Sequence, residues 1–224
     1  MDPEWLFSPD ANIAHIPYLI TQGLHIERRV EMDNFVVTIS REYGSGGHDI
    51  GKQLAELLQI PFYDKEIVDL TARKHSIDAH RLCEMEEDSK LPFSLAQSFG
   101  SLSESDEQLF ILQAKTILEL AQSSCVIVGR CADFVLKNHP KRFSFFLYSG
   151  MKQRVEHMKH KPGLYKASDP MQQAIRMDKR RAAYYKYYTG QEWGQPANYH
   201  LCVDTGMLGP KTAELLKTFI ELKK

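Results

Sequence analysis

The stretch from Phe35 to Lys52 constrains this chain more than any other. Phe35–Ile39 is a short apolar run rich in β-branched residues, the pattern of a buried strand. It leads into a turn holding Gly44, Gly46 and Gly47, and then into a helical pattern. Strand, glycine turn and helix in that order build a phosphate cradle. Glycines let backbone N–H groups converge where a Cβ would obstruct, and the helix N-terminus adds the positive end of its dipole. The usual phosphate loop reads G-x-x-x-x-G-K-[ST], with the lysine on the β/γ-phosphates and the hydroxyl on Mg²⁺. Two registers compete for that pattern, and neither completes it. The literal one, Gly46-x4-Gly51-Lys52-Gln53, has the lysine but carries Gln at the hydroxyl position and begins several residues after the strand should end. The other sets Gly46-Gly47-His48-Asp49 where G-K-S-T would stand. Ile50, Leu54, Leu57 and Leu58 then continue as one apolar helix face, so the helix is already running at residue 50. The second register fits better. It places Lys52 one turn into the helix, in solvent, and leaves a loop that would cradle phosphate without its lysine.

Bulk properties narrow the class. A chain of 224 residues with 43% hydrophobic and 25% charged residues suits one α/β domain with a mobile insert, or at most two small domains. A net charge of −1 gives no general attraction to nucleic acid or to an anionic membrane. Cys83, Cys125, Cys131 and Cys202 form no C-x-x-C pair and show no metal-binding spacing, which predicts reduced, buried thiols. No apolar run approaches a transmembrane span. Asp2, Glu4 and Asp10 stand where a secretory signal would be basic, so a cytoplasmic protein is expected.

The expected organisation is an N-terminal arm over residues 1–33 and a body over 34–224. In the body, strands at Phe35–Ile39, Ile60–Tyr63, Cys125–Val128, Phe143–Tyr148 and His200–Val203 alternate with helices. A helical insert is expected over about 65–122, with Asp106–Gln122 its firmest part, and a lid over about 160–198. Pro210 opens a closing helix. Five short apolar strands separated by helices predict an α/β fold, a five-stranded parallel sheet covered on both faces. Its ligands belong at the carboxyl ends of the strands, where the glycine turn lies.

Several segments, in order and spacing, resemble the cytidylate kinase-like family, a branch of the P-loop nucleoside monophosphate kinases. They are Thr38–Gly47, Pro61–Ile67, Val126–Asp133, Asp178–Tyr185, Tyr188–Trp193 and Asn198–Cys202, and the likeness covers about residues 35–209. It supports the second register, because Gly51–Leu58 followed by Phe62-Tyr-Asp64 looks like the family's helix and the short strand that ends in Asp. The resemblance implies ATP-dependent phosphoryl transfer to a nucleoside monophosphate, CMP foremost, with ATP and Mg²⁺ as cofactors. It implies that Gly44, Ser45, Gly46 and Gly47 hold donor phosphates and that Asp64 faces the acceptor. Gly129-Arg130 resembles the G-R-D motif, so Arg130 would clamp the acceptor phosphate. Asp178 and Arg181 resemble the D-x-x-R of the lid, whose arginine neutralises the transferring group.

The departures are specific. Gly47 occupies the lysine position, His48-Asp49 the hydroxyl pair and Cys131 the Asp of G-R-D. The acceptor-clamping arginine falls on Leu70, with Arg73 as a stand-in three residues on. Arg41, His48 or a lid arginine could replace the lysine charge, and Asp49 could hold the metal. These losses keep open an alternative, a nucleotide-binding regulatory or scaffold protein with little or no transfer activity.

Blander readings stand beside each assignment. The turn could be a tight connection, Arg130 a capping residue, and Arg176, Arg180 and Arg181 a solvated helix face. His48 could be an exposed first-turn residue, and Asp64 the cap of the following helix. Tyr184–Trp193 interleaves aromatic and basic residues as RNA-stacking surfaces do, but the near-neutral charge favours a packed lid base. The partners expected are therefore small nucleotides, with neither nucleic acid nor membrane, and a homodimer through the arm or the middle helices.

Overall fold

The computed structural model of the chain describes residues 34–64, 66–75, 104–161 and 169–223. The N-terminal arm, most of the acceptor-side insert and the first part of the expected lid lie outside these residues. In chain order the elements are β1 (Val36–Arg41), α1 (Gly47–Leu58), β2 (Phe62–Tyr63), α2 (Glu66–His75) and α3 (Glu104–Leu120). There follow β3 (Cys125–Val128), α4 (Ala132–Val135), β4 (Arg142–Tyr148), α5 (Met151–His160), α6 (Pro170–Thr189), β5 (Leu201–Asp204), α7 (Thr205–Leu208) and α8 (Thr212–Glu221). The five strands form one sheet in the order β2-β3-β1-β4-β5, and every pair is parallel. The expected five-stranded parallel sheet is therefore present. β1 is central, with the chain continuing first to one side and later to the other, so the glycine turn leaves from the point where strand order reverses.

The two-residue period of the strands divides the core. Val37, Ile39, Val126, Val128, Phe145, Leu147 and Val203 pack under α1 and α8 with Ile50, Leu54, Ala213, Leu216 and Ile220. On the other face Val36, Cys125 and Ile127 meet α2, α3, α4 and α6 through Ile67, Phe110, Ile117, Phe134 and Tyr188. That second face carries buried polar side chains, Thr38, Ser40 and Ser144. Thr38 Oγ1 donates to Phe143 O and Ser144 Oγ to Asn198 O, while Asp133 accepts from Ser40 Oγ at 3.4 Å and from Tyr185 Oη at 2.6 Å.

Tyr185, Tyr187 and Tyr188 are buried, and Tyr188 stacks on Phe110 with ring centroids 4.0 Å apart. The aromatic segment is thus a packed base, not a stacking surface for bases. α6 starts where the sequence allows, with Pro170 in its first turn and the Asp169 carboxylate accepting from the amides of Met171 and Gln172. The closing helix begins later than Pro210, after a 3₁₀ turn over Gly209–Lys211. Cys125 and Cys131 are buried free thiols and Cys202 is half-buried, as expected for reduced cysteines; Cys83 lies outside the described residues. No described helix is long and apolar enough to cross a membrane.

Candidate active site

The site begins with a helix that lacks a cap. α1 starts at Gly47, and Gly46, its N-cap, has φ 82° and offers no side-chain acceptor. The first-turn N–H groups of α1 therefore find no capping side chain and face a ligand or solvent. This start is the one the second register requires, and Lys52 is exposed on α1, away from the turn. Glu42 N donates to Leu147 O, Ser45 Oγ to Glu42 O, and Thr205 Oγ1 to Ser45 O at 2.8 Å, which fixes the loop against β4 and α7.

Gly47 is required by a close approach. A Cβ there would stand 2.7 Å from both Cβ and Cγ of Arg41. The Arg41 side chain thus runs through the space where the side chain of a phosphate-loop lysine would start. Further out, a Cβ on Gly129 would overlap Arg41 Nη1, so a second glycine makes room for the guanidinium. Arg41 Nη2 donates to Asp64 Oδ1 at 3.1 Å. The other oxygen, Oδ2, lies 2.7 Å from His48 Nδ1, and the edge of the His48 ring meets Phe62. Asp64 is only 3% exposed. Burial pushes its carboxyl up, but Arg41 and His48 outweigh burial and hold it below the usual carboxylate range. Asp64 anchors Arg41 through Oδ1 and His48 through Oδ2.

Arg130 and Arg181 complete the cluster. Gly129, Arg130 and Cys131 follow one another with φ of 79°, 57° and 53°. For the two non-glycine residues that left-handed backbone costs on the order of 1–3 kcal/mol each. The strained turn sets Arg130 at the carboxyl end of β3, within the field of Arg41 and Asp64. Burial lowers the Arg130 guanidinium's pKa. Arg181 Nη1 donates to the carbonyl of Arg41 at 2.8 Å, and its guanidinium lies over the Tyr43 ring, 5.3 Å from the centroid. Burial, and then the Arg41 charge, pull Arg181 down to about 9, still high enough for a full charge at neutral pH. Three guanidinium groups thus lie in one another's field around Asp64, with Asp178 also acting on Arg181 and the Glu66 carboxylate accepting from Asp64 N at 3.0 Å.

Asp178 looks the other way. Its Oδ1 accepts from Tyr43 N at 2.7 Å, and its Oδ2 pairs with Arg154. Arg154 is buried, donates from Nε to Tyr43 O at 2.7 Å and sits 3.2 Å from Glu42. Together they clamp the loop between α5 and α6. The sequence reading missed Arg154. Its one signal is the i,i+4 spacing to Met158, which is buried on the same face of α5; its partners lie on other elements. Asp49 is half exposed, and its oxygens face His157 on α5 and Lys161 just beyond its end. Arg73 is exposed on α2, and no described contact joins it to the cluster. Among the described residues no three His, Cys, Asp or Glu side chains group as a metal site. A cleft of about 490 Å³ opens at the opposite edge of the sheet, lined by Lys141, Arg142, Phe143, His200, Phe219 and Lys223. It is remote from the glycine turn.

The model of the cytidylate kinase-like family matches residues 36–207, which span every element from β1 to the start of α7. The chain belongs to the cytidylate kinase-like family. Membership gives it a nucleotide-binding kinase fold, and the matched residues include the glycine turn and all three clustered arginines. No curated protein matches the chain. The crystal structure of an uncharacterized protein from Eubacterium ventriosum ATCC 27560 is 26% identical, with a TM-score of 0.65, covering 84% of this chain and 99% of that one. Shikimate kinase from Acinetobacter baumannii in complex with shikimate is 15% identical, with a TM-score of 0.47 and coverage of 85% and 93%. A gluconokinase from Sinorhizobium meliloti 1021 is 16% identical, with a TM-score of 0.46 and coverage of 88% and 97%.

Proposed function

We propose that this member of the cytidylate kinase-like family passes the γ-phosphoryl group of ATP to a small acceptor, with a nucleoside monophosphate such as CMP the first candidate. One observation carries the reading: Arg41, packed against Gly47 at the uncapped head of α1, lies within the field of both Arg130 and Arg181, with Asp64 bound to it. That excess of positive charge suits a polyanion, and guanidinium forks match phosphate oxygens. The amides of Gly44–Asp49 would hold the donor phosphates, with Arg41 in the role of the absent lysine. Arg130 would take the acceptor phosphate, and Arg181 would neutralise charge on the group in flight. Asp178, through Arg154 and Tyr43, would position the loop. Mg²⁺ or a related ion would supply charge neutralisation between the phosphates, held by the loop's own side chains. Asp49 is one candidate ligand once Lys161 and His157 release it.

The test is ADP release in a coupled assay over a panel of nucleoside monophosphates. We expect stimulation by at least one pyrimidine acceptor and loss of it in Arg130→Ala. No stimulation by any acceptor would defeat the transfer reading. A second reading, nucleotide binding in a regulatory protein without turnover, is favoured by the ion pair that ties Arg41 to Asp64. Tight ATP binding with no ADP formed in either Mg²⁺ or Mn²⁺ would select it.

A further inference from the structure

We propose that His48, oriented by Asp64, is a protein ligand of the nucleotide-bound divalent cation, and that the imidazole makes this site prefer Mn²⁺ or Co²⁺ over Mg²⁺. The inference rests on the reading above that the glycine turn holds a triphosphate. His48 follows Gly46-Gly47 and so stands where the phosphate-loop pattern puts the hydroxyl that meets Mg²⁺.

Its ring is already arranged as metal-binding imidazoles are. Nδ1 lies 2.7 Å from Asp64 Oδ2, an acceptor, so the neutral ring that donates there carries its lone pair on Nε2, the nitrogen a metal would take. Asp64 is itself held by Arg41 through Oδ1, and Phe62 packs against the ring at 83° with centroids 5.2 Å apart. Two neighbours therefore fix the ring plane before any ion arrives. Nε2 has no partner among the described residues, and the side chain is 42% exposed, which leaves it reachable. Asp49, the oxygen donor next in sequence, has its two oxygens turned to Lys161 and His157. A nucleotide-bound cation needs only one or two protein ligands, since phosphates and water provide the rest, so no three-residue cluster is required.

The choice of ion follows from the donor. Mg²⁺ favours oxygen ligands almost exclusively, whereas first-row transition ions also accept imidazole nitrogen, Mn²⁺ least and Co²⁺ more strongly. A serine or threonine at position 48 would hold Mg²⁺ comfortably; a histidine shifts the preference.

Electron spin echo spectroscopy of Mn²⁺·ATP bound to ¹⁵N-histidine-labelled protein reads the ligand directly. We expect a ¹⁵N coupling in the natural protein and in His157→Ala, and none in His48→Ser. Titration calorimetry should show ATP binding ~10-fold tighter with Mn²⁺ than with Mg²⁺, and the ratio should fall toward one in His48→Ser. ATP bound with no histidine coupling, or a coupling that survives in His48→Ser, overturns this proposal and leaves the transfer reading intact. Failure to bind ATP with any of these ions overturns both.

Discussion

Arg41 and Gly47 depend on each other sterically. The chain lacks a lysine at the head of α1, and the same residue that removes it opens the path along which Arg41 runs. A methyl group at 47 would meet the Arg41 stem at 2.7 Å and push its guanidinium off Asp64. Gly47→Ala should therefore weaken ATP binding by roughly ten- to a hundredfold, the size of one lost charge-assisted contact. Lys52→Ala should leave affinity unchanged, because Lys52 is exposed on the body of α1. Calorimetric titration of both variants checks the pair. A loss in Lys52→Ala with none in Gly47→Ala would mean that the lysine, not Arg41, serves the phosphates. By the same geometry Gly47→Lys restores nothing, since the new side chain and Arg41 cannot share one space.

At the scale of elements, two buried polar assemblies hold the site in shape. Arg154 joins α5 to α6 and to the loop through Asp178, Glu42 and Tyr43. Arg154→Ala strands two carboxylates and should cost about 3–5 kcal/mol in chemical denaturation. The Asp133–Tyr185–Ser40 group ties α4 and α6 to β1. Burial raises the Asp133 carboxyl above its ordinary value, so the folded state holds its proton more tightly than the unfolded chain does. The favourable contribution of the protonated form is present below the unfolded value near 3.9 and fades as pH rises through the folded one. Asp133→Asn should accordingly gain stability relative to the natural protein as pH rises above about 4. A difference that shrinks over that range would contradict the raised value. At the end of α1, exposed Gln59 adopts φ 56°, and Gln59→Gly should raise stability by about 1 kcal/mol.

For the whole molecule, the sheet and its ligand edge were legible because buried parallel strands are apolar runs and several linking helices start at glycine or aspartate, as α1 does at Gly46 and α6 at Asp169. β1 was read two residues short at its carboxyl end: the observed strand continues through Ser40 and Arg41, polar residues that the sheet pairs with β4 up to Leu147. Leu57, expected on the apolar face of α1, lies at its solvent edge at 37% exposure. The register of the glycine turn was legible for the same periodic reason that exposes Lys52. The use of Asp64, Asp178 and Arg154 was not. Each is defined by a partner on a distant element, and a carboxylate that clamps a loop looks the same in sequence as one that meets a substrate. The strained Arg130-Cys131 turn leaves no trace in residue type either, since neither is a residue that favours positive φ.

The central claim is that amides of one strand-to-helix corner, helped by Arg41, grip a triphosphate without a phosphate-loop lysine. Titration calorimetry with ATP on the full chain, the Arg41→Ala variant and the Lys52→Ala variant tests it most directly. The natural protein should bind saturably, Arg41→Ala at least tenfold more weakly, and Lys52→Ala with unchanged affinity. Absence of binding to the natural protein, or a loss in Lys52→Ala that matches the loss in Arg41→Ala, would contradict it.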